Sequence, residues 1–142
     1  MKTLKIRLII DTNIIFMALT NPTGKAALIL DMANQGKIEL YSPESIKKEI
    51  INVLSRELEL SQGDIFRIID GLPIIWIEKE IYSEFLDKTK VKHKADKPIE
   101  ALSLALNCKI LSADKHFKHN IFDIEELRLS EKRNGRSGFT MK

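Results

Sequence analysis

The chain alternates short, mainly apolar runs with longer segments whose apolar residues recur at helical spacing. The first run, residues 4–10, is rich in β-branched residues and too continuously apolar for a strand with one face in water. Four further segments of strand character follow at residues 38–41, 74–78, 109–112 and 121–124. This alternation predicts a three-layer α/β/α sandwich around a mainly parallel sheet of about five strands.

The helices between these strands are predicted mainly from their boundary signals. The Ser-Pro-Glu run at 42–44 is typical of a helix start, and that helix should extend to about Leu58. An acid three residues after Ser61 resembles a capping box and predicts the next helix. Pro98 opens a nearly all-apolar helix that must be buried. Weaker helical patterns cover residues 27–36 and 81–86.

Size and composition are those of one ordinary globular domain. Of the 142 residues, 44% are apolar and 30% are charged, and the formal net charge is +3. We expect a domain over residues 1–129 and a polar tail over residues 130–142. No apolar stretch approaches the roughly 20 residues that a membrane span needs, so we expect a cytoplasmic protein with no membrane partner. The single cysteine, Cys108, lies in the apolar context LALNCKIL, which predicts a buried thiol rather than a nucleophile.

Two aspartates directly follow predicted strands. Asp11 ends the first apolar run, and Asp114 comes just after the strand at residues 109–112. Ligands of parallel sheets gather at the carboxyl ends of the strands, so the two carboxylates would share one crevice if their strands were neighbours. The sequence does not establish that adjacency, and Asp11 is also suited to capping the next helix.

Three further acids lie at unusual helix positions. Glu49 shares the spacing of an apolar stripe, where a carboxylate is unfavourable unless a cation meets it. At the edge of that stripe it would instead extend to water. Asp96 precedes the apolar helix, either as a ligand or as its N-cap. Glu100 lies four residues later on the same face, either as an auxiliary ligand or as a helix-edge residue.

A group of converging carboxylates implies a counter-charge. Two charges about 4 Å apart repel by several kcal/mol at an effective dielectric near 20, so the cluster requires protons, cationic side chains or a divalent metal. Oxygen ligands without a nearby His or Cys set favour Mg²⁺ or Mn²⁺ over zinc. The histidines do not form a convincing zinc set: His93, His116 and His119.

Four segments resemble the successive motifs of the PIN domain, in the order DTN, SPESIKKEI, ADKPIEALSLAL and ILSADKHF. The resemblance covers residues 4–124 and is closest to the toxin-type (VapC-like) branch of bacterial and archaeal toxin–antitoxin pairs. It implies a nuclease in which one or two Mg²⁺ or Mn²⁺ ions are held by the matching acids: Asp11, Glu49, Asp96 and Asp114.

Other positions of the motifs carry smaller implications. Thr12, Asn13 and Ser112 match supporting positions that orient carboxylates or a metal-associated water. Glu100 departs from the family pattern, because an apolar residue is expected there, and is a candidate to join or replace a ligand.

The predicted function is metal-assisted hydrolysis of RNA. RNA would approach over basic residues that are equally well explained as solvated charges: Lys92, Lys94, Lys115 and Lys118. The resemblance also implies a homodimer and inhibition by a cognate antitoxin. Residues 43–71 offer more apolar positions than one helix face can bury: Leu54, Leu58, Leu60, Phe66 and Ile69.

Other classes of protein fit less well or stay open. A haloacid-dehalogenase-type phosphotransferase needs a second acid where this chain has Asn13, and a receiver domain needs an acidic pair that is missing. A stand-alone RNA-processing PIN nuclease would share all four acids. A non-catalytic RNA-binding or partner-docking PIN module is the main alternative that is not an enzyme.

Overall fold

The computed structural model describes residues 5–90, 96–112 and 121–123. The strands in these ranges are β1 (Ile6–Ile10), β2 (Ile38–Pro43), β3 (Ile74–Ile77), β4 (Lys109–Ser112) and β5 (Ile121–Asp123). The α-helices are α1 (Thr12–Thr20), α2 (Lys25–Asn34), α3 (Ser45–Leu58), α4 (Gln62–Asp70), α5 (Lys79–Tyr82) and α6 (Lys97–Leu106), and a 3₁₀ helix covers Ser83–Lys88. No helix among them has both the length and the apolar character needed to cross a membrane.

The five strands form one sheet in the order β3-β2-β1-β4-β5, and every neighbouring pair is parallel. The central strand β1 is buried on both faces, since Leu8 and Ile10 point to one side and Ile9 to the other, and all three are at most 1% exposed. A strand without a solvated face requires a layer of helices on each side. The expected sandwich with a parallel sheet is therefore confirmed.

Chain order decides which helices form each layer. The first two crossovers step outward from β1 to β2 to β3, whereas the third returns across the sheet to β4. Right-handed crossovers, the strongly preferred hand, then place α1 to α4 on one face and α5, the 3₁₀ helix and α6 on the other. The packing agrees, because α1 contacts α2 and α3, and α6 contacts α5 and the 3₁₀ helix.

Two helix starts differ from the sequence prediction. Residues 14–19, an apolar segment whose secondary structure the sequence does not predict, lie in α1, which begins at Thr12 with Asp11 as its N-cap. The predicted start of α3 at Pro43, with Ser42 as the N-cap, is wrong, because β2 continues through Pro43, which pairs with Ile77 of β3. Helix α3 therefore begins at Ser45 and ends at Leu58, where its end was predicted.

Candidate metal centre at the carboxyl edge of the sheet

Asp11 lies at the carboxyl end of the central strand and is 5% exposed. Its Oδ1 accepts a hydrogen bond from the backbone N–H of Ile14 at 3.0 Å, so the carboxylate caps α1. This contact does not compete with a metal role, since an ionised carboxylate has about four acceptor positions and the cap uses one. The cap fixes the orientation of the carboxylate at the sheet edge. Thr12 and Asn13 follow as the first residues of α1.

Ser42 supports this edge in a way that the sequence prediction missed. Its side chain is fully buried, and its hydroxyl donates to the carbonyl oxygen of Ile10 at 2.9 Å. The bond ties the end of β2 to the residue directly before Asp11. A serine before a proline favours extended backbone, which suits a strand end as well as a helix cap, so the local sequence could not separate the two roles.

Helix α3 brings Glu49 to the same edge. The first residue of the helix, Ser45, accepts a hydrogen bond at 3.0 Å from the hydroxyl of Tyr82, which is 1% exposed and belongs to the opposite helix layer. Glu49 lies about one turn further on. It is exposed, so of the two placements that the sequence left open, the edge of the apolar stripe is the observed one: Ile46, Ile50 and Leu54 form the buried face, and Glu49 flanks it.

Asp96 occupies the N-cap position of α6, but its side chain makes no capping hydrogen bond. Of the two roles that the sequence left open, helix capping is therefore not the one that its carboxylate performs. Asp96 instead acts electrostatically on Glu49. Partial burial of the carboxyl, followed by the negative charge of Asp96, raises the pKa of Glu49 above its ordinary value of 4.5.

The strand adjacency that the sequence left open is present. β4 is the direct neighbour of β1, with Ile10 opposite Leu111, so Ser112 ends its strand beside Asp11 in the sheet. Asp114, two positions after Ser112 in sequence, lies outside the described residues. The predicted RNA-binding residues also lie outside them: Lys92, Lys94, Lys115 and Lys118. Within the ranges 5–90, 96–112 and 121–123, no three His, Cys, Asp or Glu side chains are grouped to hold a metal ion.

The opposite, amino edge of the sheet has different chemistry. A cavity of about 330 Å³ opens there and is lined by Lys5, Ile6, Arg7, Leu8, Asn107, Cys108 and Lys109. The Tyr41 hydroxyl donates to Glu39 at 2.8 Å and accepts from the Nε of Arg7 at 3.4 Å. Burial raises the pKa of the Cys108 thiol, which fits the predicted unreactive cysteine.

Comparison with known proteins assigns the family. The family model for the PIN domain matches residues 7–126, which is most of the chain. The chain belongs to the PIN-domain family. PIN domains are nucleases, and in this PIN domain the carboxyl edge of the sheet carries Asp11, Glu49 and Asp96.

The chain is also similar to individual proteins in sequence and in fold. Over 70 residues, the chain is 41% identical to an uncharacterised protein of Methanocaldococcus jannaschii, an alignment that covers 49% of this chain and 45% of the relative. The chain thus spans about half the length of that curated relative. It also resembles the crystal structure of VapBC2 from Rickettsia felis bound to a DNA fragment from its promoter, with a TM-score of 0.58 at 15% identity. That match covers 83% of this chain and 98% of the compared chain, and it shows a common fold.

Proposed function

We propose that this PIN domain is a Mg²⁺- or Mn²⁺-dependent ribonuclease that hydrolyses phosphodiester bonds of RNA. The observation that carries the proposal is the placement of Glu49 and Asp96 with Asp11 at the carboxyl edge, where partial burial and then the charge of Asp96 raise the pKa of Glu49. A carboxylate whose ionisation is opposed by burial and by a neighbouring carboxylate is stabilised by a cation. Their oxygen-only chemistry, with Asp11 on the central strand, fits a hard divalent ion.

Each acid has a distinct part in the proposed site. Asp11, held by its bond to Ile14 N–H, would be the principal ligand, and Asp96 and Asp114 would complete the ligand set. Glu49 would hold the ion, or a water associated with it, from the side of α3. A divalent ion, when bound, would supply positive charge at the scissile phosphate and increase the acidity of a water.

Basic residues near the acids in sequence support a nucleic-acid substrate. RNA would approach over basic residues that flank the third and fourth acids in sequence: Lys92, Lys94, Lys115 and Lys118. Neutralising phosphates with lysines makes binding depend on salt, so we expect the KM for RNA to rise with ionic strength.

The direct test is cleavage of single-stranded RNA by the purified chain. Cleavage should require Mg²⁺ or Mn²⁺, stop in EDTA and return when excess Mg²⁺ is added back. Undiminished cleavage in EDTA would overturn the metal dependence. Binding of RNA without cleavage under any metal condition would favour the non-catalytic PIN module instead.

A toxin role is supported by fold likeness and charge. The compared VapBC2 structure contains this fold in a complex bound to promoter DNA. Without metal the acidic edge attracts cationic groups, so an antitoxin could inhibit by placing an arginine against these acids and competing with Mg²⁺. A stand-alone RNA-processing nuclease would lack such a partner.

A homodimer is proposed from the apolar residues of α3 and α4. Leu54 and Ile69 are buried in the core, so they are unavailable for a dimer, but Phe66 and Leu60 are 48% and 40% exposed. Apolar side chains that stay exposed can contribute to association. Light scattering at tens of micromolar (roughly the range where weak dimers still assemble) should show a dimer. A monomer at that concentration would contradict the proposal.

A further inference from the structure

Glu100 is a buried acid within an otherwise apolar helix. It lies in the first turn of α6 and is 4% exposed, and the next two residues, Ala101 and Leu102, are fully buried. A buried carboxylate is unfavourable unless it is hydrogen-bonded or paired. At this position its charge is also favoured by the dipole of the helix N-terminus.

The structure gives Glu100 a specific partner in another segment. Its Oε1 accepts a hydrogen bond from the backbone N–H of Lys90 at 2.8 Å. Lys90 lies just beyond the 3₁₀ helix, whose end is held by a second bond, from the Thr89 hydroxyl to the Leu86 carbonyl at 2.9 Å. The chain is therefore fixed at Lys90 by two neighbouring hydrogen bonds.

The bond between Lys90 and Glu100 joins the segment after the 3₁₀ helix to the first turn of α6. Asp96 lies directly before α6, about one helical turn from Glu100. Fixing the first turn of a helix against a second segment reduces the conformations open to the residue at the helix start. The bond therefore limits where the Asp96 carboxylate can lie relative to α6.

We propose that Glu100 is a positioning residue, which fixes Lys90 through this hydrogen bond and thereby orients Asp96 for divalent-ion binding, rather than a metal ligand itself. The part that concerns the ion rests on the proposed function. A ligand role requires the negative charge of Glu100, whereas a positioning role requires only an acceptor oxygen. These two requirements can be separated by substitution.

Two variants separate the roles. Glu100→Gln removes the charge but keeps a carbonyl oxygen that can accept from Lys90 N–H. Glu100→Leu removes the acceptor and fills the buried position with an apolar side chain of similar size, so folding should be retained or improved. Glu100→Met serves the same purpose if the leucine variant does not fold. Ser103→Ala is the matched control, because it deletes a buried hydrogen bond to the Cys108 carbonyl at the far end of the same helix.

The readouts are amide hydrogen exchange at Lys90, Mn²⁺ affinity by calorimetry, and thermal unfolding. We expect Glu100→Leu to speed exchange at Lys90 by about tenfold and to weaken Mn²⁺ binding by about tenfold, at unchanged or raised Tm. In Glu100→Gln, the exchange rate at Lys90 and the affinity for Mn²⁺ should both stay within about threefold of the wild type. Ser103→Ala should change neither the exchange rate nor the affinity.

Other results would overturn the proposal. If Glu100→Gln weakens Mn²⁺ binding as much as Asp96→Asn, Glu100 is a ligand. If Glu100→Leu changes neither Lys90 exchange nor Mn²⁺ affinity, Glu100 positions nothing. If the wild type binds no Mn²⁺ at all, the proposed function and the orienting role both fail, while the exchange rate at Lys90 still decides whether Glu100 fixes that residue.

Discussion

The two edges of one parallel sheet in this protein carry opposite chemistry. At the carboxyl edge, Asp11, Glu49 and Asp96 are acids, and Asp96 raises the pKa of Glu49. At the amino edge, Arg7 lies 3.8 Å from Glu39, and its guanidinium stacks over the Tyr41 ring at 5.1 Å. The hydrogen bond to Tyr41 is the main cause that raises the pKa of Arg7.

The difference between the edges is one of charge compensation. Arg7 has an opposite charge and a polar partner, so its environment favours the charged form. Glu49 is partly buried and also lies near the like charge of Asp96, so its environment disfavours the charged form. A carboxylate whose charged form is disfavoured by its surroundings is typical of a functional site, because a bound cation can supply the missing positive charge. The comparison therefore supports the proposal that the carboxyl edge, rather than the amino edge, is the functional one.

The largest expected effect is the loss of activity in Asp11→Asn. Asparagine can still cap α1 by accepting from Ile14 N–H, so the fold should be retained. Loss of a principal ligand charge should reduce RNA cleavage by about a hundredfold or more. The measurement is the initial cleavage rate at fixed Mg²⁺, together with the circular dichroism spectrum to verify folding.

Two control variants test whether the loss of cleavage is specific to Asp11. Arg7→Gln breaks the exposed pair with Glu39 and should lower the free energy of unfolding by no more than about 1 kcal/mol, with cleavage unchanged. Glu44→Gln replaces an exposed acid at the N-cap of α3 whose side chain makes no capping bond, and it should be silent. Comparable losses of cleavage from Asp11 and Glu44 would show that the acids at this edge do not form one site.

A smaller effect is expected on stability as a function of pH. The pKa of Glu49 is raised in the folded state, so between 4.5 and that raised value the native protein binds more protons than the unfolded chain. The wild type should therefore lose stability relative to Glu49→Gln as pH rises through this window in EDTA. Solvent screening keeps the difference below about 1 kcal/mol.

Urea unfolding across this pH range measures the difference. Asp96→Asn removes one of the two causes of the raised pKa. The pH-dependent difference between the wild type and Glu49→Gln should therefore shrink when both are measured with Asp96→Asn also present. A difference of the opposite sign would show that the charge of Glu49 is stabilised, not opposed, by its surroundings.

Much of the fold could be predicted from the sequence because the central strands contain residues that are apolar on both faces. Residues 8–10 and residues 110–111 are apolar on both sides, which is typical of central strands, and both segments lie inside the sheet. The helix beginning near Pro98 was predicted because it is apolar around most of its circumference, and it begins at Lys97. The capping serine of α4 was also identified correctly, since Ser61 accepts from Asp64 N–H.

The parts that could not be predicted depend on contacts between distant residues. The bonds from Ser42 to Ile10 and from Tyr82 to Ser45 span more than 30 residues of sequence, and no local pattern indicates them. The strand adjacency of Asp11 and Ser112 follows from the crossover back across the sheet. The partner of Glu100, a backbone N–H ten residues earlier, likewise has no signature in the side-chain sequence.

The most direct measurement of the central claim is the map of amide signals that Mn²⁺ broadens in the NMR spectrum of the wild type. Arg7 and Asp11 lie about 13 Å apart along β1, so the two edges are distinguishable. The account predicts strong broadening around Asp11, Glu49 and Asp96, weak broadening around Arg7 and Lys109, and loss of the effect in Asp11→Asn. Broadening centred on the amino edge, or none at either edge, would contradict it.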